Sequence, residues 1–192
     1  MDTEGKESPE VLGSEEIYRG RVFDVARDTV REGGKTYARE CVLHPGGASV
    51  VAVFDDRTVA LVRQYRHPAR RYLLELPAGR LEAGERPEDC AARELIEEVG
   101  YRASRLERLS DFYTTPGFCA ERLWVFLATG LTEATQQLED DELVEVVRLP
   151  LRRALGMIAT REIEDAKTII GLLLTAQLFG IPTNDLAETA AL

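Results

Sequence analysis

The sequence predicts a mixed α/β domain with one core, strand-rich in its first half and closed by helices in its second. Three observations carry this reading. Short β-branched runs broken by Gly and Pro fill much of residues 16–76. Near Pro87 the hydrophobic period changes to that of a helix. Further strands and two more helical stretches follow, and no repeat or low-complexity linker interrupts the order. Elements in that sequence pack as layers around a single core.

Each element can be justified in order. Residues 1–13 are polar and read as a flexible terminus. Alternating runs at 21–25 and 36–43, broken by Gly33-Gly34 and by His44-Pro45-Gly46-Gly47, read as strands and turns, so residues 14–48 form an N-terminal stranded segment. Residues 49–54 and 58–64 flank Asp55-Asp56-Arg57, which suggests a hairpin. A short strand at 73–76 ends at Pro77-Ala78-Gly79.

Pro87 suits a first helical position, and Glu88 and Asp89 lie in the first turn, where the helix dipole favours anions. Gly100 suits the residue just past the end, giving a helix over 87–99. Residues 123–127 and 143–149 read as strands, and 151–160 and 165–179 as helices. Gly180-Ile181-Pro182 is the stop, which leaves 49–182 as the main domain and 183–192 as a flexible C-terminus.

Composition excludes several classes of function. The chain has 192 residues, 34 acidic and 24 basic, with a formal net charge of −10 at pH 7. Nucleic-acid binding draws on basic patches, so no nucleic-acid partner is expected. With 44% hydrophobic and 30% charged residues the chain reads as globular rather than disordered. Its longest apolar stretch, 169–174, is far shorter than the roughly 20 residues that span a bilayer, so no membrane partner is expected. Cys41, Cys90 and Cys119 are odd in number and contain no C-x-x-C pair. With no apolar leader in MDTEGKESPE, a reducing, cytoplasmic setting is expected.

The informative segment is GRLEAGERPEDCAARELIEEVGY, residues 79–101. At ~100° per residue, Glu97 falls about 60° to one side of Glu94 and Glu98 about 40° to the other. Leu95, Ile96, Val99 and Ala92 occupy the opposite side as the expected core anchor. Two readings fit three carboxylates on one narrow face. One is a solvated acidic surface. The other is a site for a hard divalent cation such as Mg²⁺ or Mn²⁺, which prefers oxygen ligands. The glycine-containing loop before the helix, with Gly79, Gly84 and Glu85, weakens the first without deciding between them. Cys90 lies about 40° from Glu94 on the same wheel and reads as a small spacer.

The segment resembles the signature of the Nudix hydrolase superfamily, G-x5-E-x7-R-E-U-x-E-E-x-G-U, where U is aliphatic or bulky apolar. Gly79, Glu85, Arg93, Glu94, Leu95, Glu97, Glu98, Gly100 and Tyr101 fall on the pattern, Tyr101 being aromatic where an aliphatic residue is commoner. The resemblance implies an α+β fold of mixed β-sheets sandwiched between helices, with an N-terminal β-rich segment. It implies hydrolysis of a nucleoside diphosphate linked to another moiety. It further implies Glu94 and Glu98 as main metal ligands, Glu97 on an additional metal or a bridging water, and the Ala78 carbonyl completing a metal shell. Glu85 and Arg93 would orient the loop and the carboxylates.

A second resemblance concerns substrate. Pro116, within TTPGFCAER, lies 16 residues beyond Gly100, an offset similar to that of the ADP-ribose pyrophosphatase subgroup. The flanks YRGRVFDV, HPGGASVVAV, VRQYRHP, EDDELVEV and REIEDAKT are similar to that subgroup as well. A plain Pro-Gly turn is the other reading of Pro116. Residues 57–72 hold Arg57, Arg63, Arg66, Arg70 and Arg71 and no acid. Arginine grips phosphate oxygens in pairs. Gln64-Tyr65-Arg66 matches a Q-[YF]-R motif of the family, so Arg66 is the expected phosphate contact, with Arg39 matching a substrate arginine. Phe118 and Glu121 are candidates for a ribose pocket, Phe118 being alternatively a core plug.

The acidic loop Glu139-Asp140-Asp141-Glu142 offers a general base, Glu142 first and Asp141 second, or else merely a solubilising loop. The resulting expectation is metal-dependent hydrolysis of ADP-ribose to AMP and ribose 5-phosphate. Other nucleotide pyrophosphatases and a non-catalytic nucleotide sensor are the alternatives. A homodimer is implied, with Arg39 or Phe23 of the N-terminal strands near an adenine. Residues 79–101 hold seven acids against three arginines, and 139–145 hold five acids and no base, so the negative charge concentrates where a cation is expected.

Overall fold

The computed structural model describes residues 7–138 and 143–183. It divides into two compact units, Met1–Gly46 with Tyr113–Arg122, and Gly47–Phe112 with Leu123–Leu192. No helix among the described residues is long and apolar enough to cross a membrane.

The N-terminal unit carries a three-stranded antiparallel sheet in the order β1 (Glu10–Arg19), β2 (Asp24–Glu32), β3 (Lys35–Leu43). Glu32 pairs with Lys35 across a two-residue turn, Gly33-Gly34, as the glycine pair predicts. Part of the sequence reading is corrected here. The run at 21–25 is not a strand from its first residue: the Gly20 amide donates to the Phe23 carbonyl at 3.2 Å and to Asp24 Oδ1 at 3.1 Å, and β2 starts only at Asp24. β1 carried no strand signal because every one of its residues is exposed, so it has no buried face to impose alternation. Residues 113–122 also belong to this unit. Val42 donates its amide to Phe118 O at 2.7 Å and accepts from Ala120 N at 2.9 Å.

The larger unit is built on a mixed seven-stranded sheet. Its path is β10 (Val144–Pro150), β5 (Thr58–Arg66), β4 (Gly47–Val53), β9 (Arg122–Glu133), β8 (Tyr101–Tyr113). β6 (Arg71–Glu75) pairs with β5, and β7 (Ala78–Arg80) with β4. β4 and β9 are parallel, Gly47 opposite Leu123 through Ala52 opposite Ala128. β4 and β5 pair only near their turn, at Ala52–Ala60 and Val53–Val59. Beyond it each takes its own partner: β4 pairs with β7 at Gly47–Ser49, and β5 with β6 from Val62 to Arg66. Residues 78–80, expected as part of a turn, are therefore a short strand.

Every residue of β4 is buried, and its alternation serves two cores. Val51 and Val53 join Val59, Leu61, Leu74 and Leu76 against Leu155, Ile163, Leu172 and Ala176 of the C-terminal helical region, which contains α2 (Leu151–Ala159) and α3 (Ala166–Leu178). Ala48, Val50 and Ala52 join Ala60, Phe126 and Ala128 against Cys90, Ala91, Leu95 and Val99. A strand buried on both faces reads as a continuous apolar run, which is how residues 49–54 look. β8 escaped detection because it ends the sheet and has no fully buried residue, so Arg102, Arg105, Glu107 and Arg108 interrupt its pattern, as charges do on edge strands.

Candidate active site

The acidic segment folds as a strand, a loop, a helix and a cap. β7 leads through residues 81–86 into α1 (Pro87–Glu94), with Pro87 in its first turn. The helix runs on into a π-helical turn, Leu95–Val99, ended by Gly100. Gly100 is left-handed at φ 77°, which favours glycine at a helix end. π turns widen a helix locally and recur at functional sites.

The burial of this helix departs from the simple wheel. Cys90, Ala91, Glu94, Leu95, Glu98 and Val99 are buried, whereas Ala92, expected in the core anchor, is exposed. The reason is that the helix packs on two surfaces. Ala91, Leu95 and Val99 meet the sheet, while Cys90, Glu94 and Glu98 face β7. A solvated acidic face is therefore excluded for Glu94 and Glu98, which are 6% and 2% exposed.

Contacts with β7 place both carboxylates. Glu98 Oε2 accepts the Ala78 amide at 2.8 Å. A Cβ built on Gly79 would stand 1.7 Å from Glu94 Oε1, so the Glu94 carboxylate fills the space that a side chain there would need. Arg93 then gathers the loop and the helix. Its Nε and Nη2 donate to Glu85 at 2.9 and 3.0 Å, and its Nη1 donates to Glu94 Oε1 at 2.6 Å and Glu97 Oε2 at 2.8 Å. Glu85 also accepts the Glu82 amide at 2.9 Å, which ties the loop to itself.

The Arg93 hydrogen bond holds the Glu85 carboxyl below its ordinary value, and the same bond raises Arg93. Both stay charged. Burial, reinforced by the charges of Glu85 and Glu94, pushes the Cys90 thiol up to about 12, so it remains protonated near neutrality.

Among the described residues no three His, Cys, Asp or Glu side chains already close on a single point as a metal cage. Arg93 draws Glu94 and Glu97 toward itself, and Glu98 turns to the Ala78 amide. The donor set nevertheless fits a hard divalent cation. It is all oxygen, two of its carboxylates are buried, and Glu98 is fixed by the Ala78 amide.

Of the other expected residues, Arg66 is engaged in a fork with Glu75, Nε and Nη2 each donating at 2.8 Å. Lys167 also donates to Glu75, and to Asp165 Oδ1 at 2.9 Å. The sequence reading missed Glu75, Lys167 and Asp165. The available signal was one acid, Glu75, inside the apolar run 73–76. Arg39, Phe118 and Glu121 belong to the N-terminal unit. Arg39 stacks over Tyr37, 4.2 Å from its ring centre. Phe118 is 58% exposed and so is not a core plug. Glu121 Oε2 accepts Thr114 Oγ1 at 2.7 Å. Asp141 and Glu142 lie outside the described residues.

A mixed sheet between helices, bearing a glycine-led loop and a helix with buried carboxylates, defines a class of loop–helix hydrolase domains. The NUDIX domain model matches residues 43–170, and the chain belongs to the Nudix family, whose members generally use divalent metal ions. The chain is 44% identical over 160 residues to an ADP-ribose pyrophosphatase of Bacillus subtilis, covering 82% of this chain and 86% of the relative. It is 40% identical to a methanol dehydrogenase activator of Bacillus methanolicus, covering 84% and 89%. It is 41% identical to an ADP-ribose pyrophosphatase of Mycobacterium tuberculosis, covering 85% and 81%. The crystal structure of an ADP compounds hydrolase superposes with a TM-score of 0.81 at 23% identity, covering 93% of this chain and 97% of the other, which shows the shared fold.

Proposed function

We propose that the chain hydrolyses the diphosphate bond of ADP-ribose to give AMP and ribose 5-phosphate. The observation that carries the reading is the burial of Glu94 and Glu98 against β7 inside an unbroken Nudix signature. A non-catalytic nucleotide sensor would not need to keep that signature intact. The names of the Bacillus subtilis and Mycobacterium tuberculosis relatives support ADP-ribose as the substrate.

In this reading Glu94, Glu98 and the Ala78 carbonyl would hold Mg²⁺ or Mn²⁺, and Glu97 would serve a further ion or a bridging water. Such an ion neutralises diphosphate charge and lowers the pKa of bound water. The chain's own contribution is orientation. Arg93, anchored by Glu85, draws Glu94 and Glu97 together and offsets their mutual repulsion with its own charge. Arg66 takes a phosphate oxygen. Arg39, Phe118 and Glu121 are substrate contacts, and Glu142, or Asp141 beside it, takes the proton of the attacking water.

Exposed apolar residues on the N-terminal sheet, among them Val11, Leu12, Ile17 and Tyr18, support a homodimer formed through these strands. Three free cysteines support a reducing, cytoplasmic setting. The test is a substrate panel of ADP-ribose, GDP-mannose, NADH, FAD and diadenosine diphosphate, read by AMP or GMP release with Mg²⁺, Mn²⁺ or EDTA. Metal-dependent release of AMP should be fastest from ADP-ribose. Faster release from another member, or turnover in EDTA, overturns the reading. Light scattering should give a dimer, and a monomer removes that part.

A further inference from the structure

We propose that Glu75 is a positioning residue, which with Lys167 fixes the guanidinium of Arg66 for a substrate phosphate. The inference rests on the functional reading above, in which Arg66 meets the diphosphate. Glu75 ends β6 and is 1% exposed. Its two oxygens accept separately from Nε and Nη2 of Arg66, both at 2.8 Å, a fork that fixes the plane of the guanidinium as a single bond would not. Nη1 takes no part in this fork. Lys167 donates to Glu75 Oε2, the oxygen that Nη2 also uses.

Lys167 is held in turn. It donates to Asp165, whose other oxygen caps α3 through the Thr168 amide at 3.0 Å and the Thr168 hydroxyl at 2.6 Å. Thr168 Oγ1 accepts the Leu76 amide at 2.8 Å, so the residue after Glu75 is tied to the same cap. The end of β6, Arg66 on β5 and the start of α3 thus form one hydrogen-bonded unit.

Stability alone is a weak reason for this arrangement, because well-packed apolar residues usually stabilise a buried position at least as well as an ion pair. Positioning is a better one. A free arginine loses rotamer entropy when it is ordered. A side chain ordered before substrate arrives no longer bears that cost on binding. Lys167 pairs with Asp165 as well as with Glu75, so two cations and two carboxylates form one charge-balanced cluster around the guanidinium. The charge of Glu98 acts on Arg66 as well, which puts the arginine within electrostatic range of that one buried carboxylate of the helix.

The test is a double-mutant cycle read by steady-state hydrolysis of ADP-ribose and by calorimetric binding of ADP. Glu75→Gln should raise KM about tenfold and change kcat less than threefold. Arg66→Lys should do the same, and the double variant should be no worse than Arg66→Lys, as expected when one residue acts through another. Leu155→Ala, a core truncation on α2 outside this unit, should lower the melting temperature while leaving KM unchanged. An unchanged KM in folded Glu75→Gln, or additive effects in the double variant, overturns the proposal. If wild type binds ADP but does not hydrolyse ADP-ribose, the functional reading fails, and the same cycle on the Kd for ADP decides the role of Glu75.

Discussion

Gly79 and Glu94 occupy one another's space: a Cβ at Gly79 would lie 1.7 Å from Glu94 Oε1 and 2.2 Å from its carboxyl carbon. The strand position and the helix carboxylate are therefore a matched pair. The glycine is there for close approach of the acid, since its φ is not among the left-handed ones.

Gly79→Ala is expected to separate fold from activity. The obstructing atoms are the end of a flexible side chain, so stability should change by no more than about 1 kcal/mol. The displaced Glu94 carboxylate should lower kcat by about 100-fold, the typical effect of an ångström-scale misplacement. Thermal melting and steady-state rates check this together. Near-normal turnover would remove Glu94 from the metal site.

Glu98→Gln should abolish most turnover, by at least about 100-fold, while the protein stays folded. The amide oxygen that replaces Oε2 can still accept the Ala78 amide, so the loop keeps its anchor. Circular dichroism should be unchanged, and a Mg²⁺-dependent rise in melting temperature should be lost. A rate close to wild type would show that the ion is held elsewhere.

Acid should weaken the fold through two carboxylates. Burial works to raise the Glu75 carboxyl, but its hydrogen bond to Arg66 and the charges of Lys167 and Arg66 outweigh this and hold it below its ordinary 4.5. Glu85 is held below the same value by the Arg93 hydrogen bond. Groups lowered in the folded state stabilise it fully above the unfolded pKa, and this stability disappears as pH falls through the lower folded value. Urea midpoints should thus be flat from pH 7 to about 5 and fall below about 4.5. Glu75→Gln should be less stable than wild type at pH 7 by about 2–3 kcal/mol and show a shallower acid loss. Parallel curves for the two proteins would mean that Glu75 does not contribute to the acid transition.

Thiol labelling should distinguish the three cysteines. Cys90 is fully buried, while Cys41 and Cys119 are partly exposed. A maleimide applied to native protein should reach Cys41 and Cys119 and spare Cys90 until urea is added. Mass spectrometry of the peptides reads this directly. Early labelling of Cys90 would show that α1 opens away from β7.

The parts of this structure that the sequence reveals are those whose residues face a core or obey a local rule. Residues 49–54 announce a strand buried on both faces, Pro87 and Gly100 bracket the helix, and Asp165 marks the start of α3. β1 and β8 are hidden because neither has a fully buried face, so nothing in their composition alternates. The site divides in the same way. Glu94 and Glu98 are legible from spacing within one helix. The Glu75–Lys167 contact joins residues 92 apart, and no local pattern encodes it. The exposure of Ala92 follows from the second packing surface of the helix, supplied by β7, which a wheel drawn from the helix alone does not contain.

The backbone bonds of Val42 to Phe118 and Ala120 bear on how this protein can be altered. The Pro116 loop is stitched to β3 rather than left as an interchangeable appendage. Grafting that loop alone from a relative would break two main-chain bonds and leave Val42 without its neighbours. A chimera that exchanges residues 113–122 together with the N-terminal strands keeps those bonds, so loop and strands are a single unit of exchange.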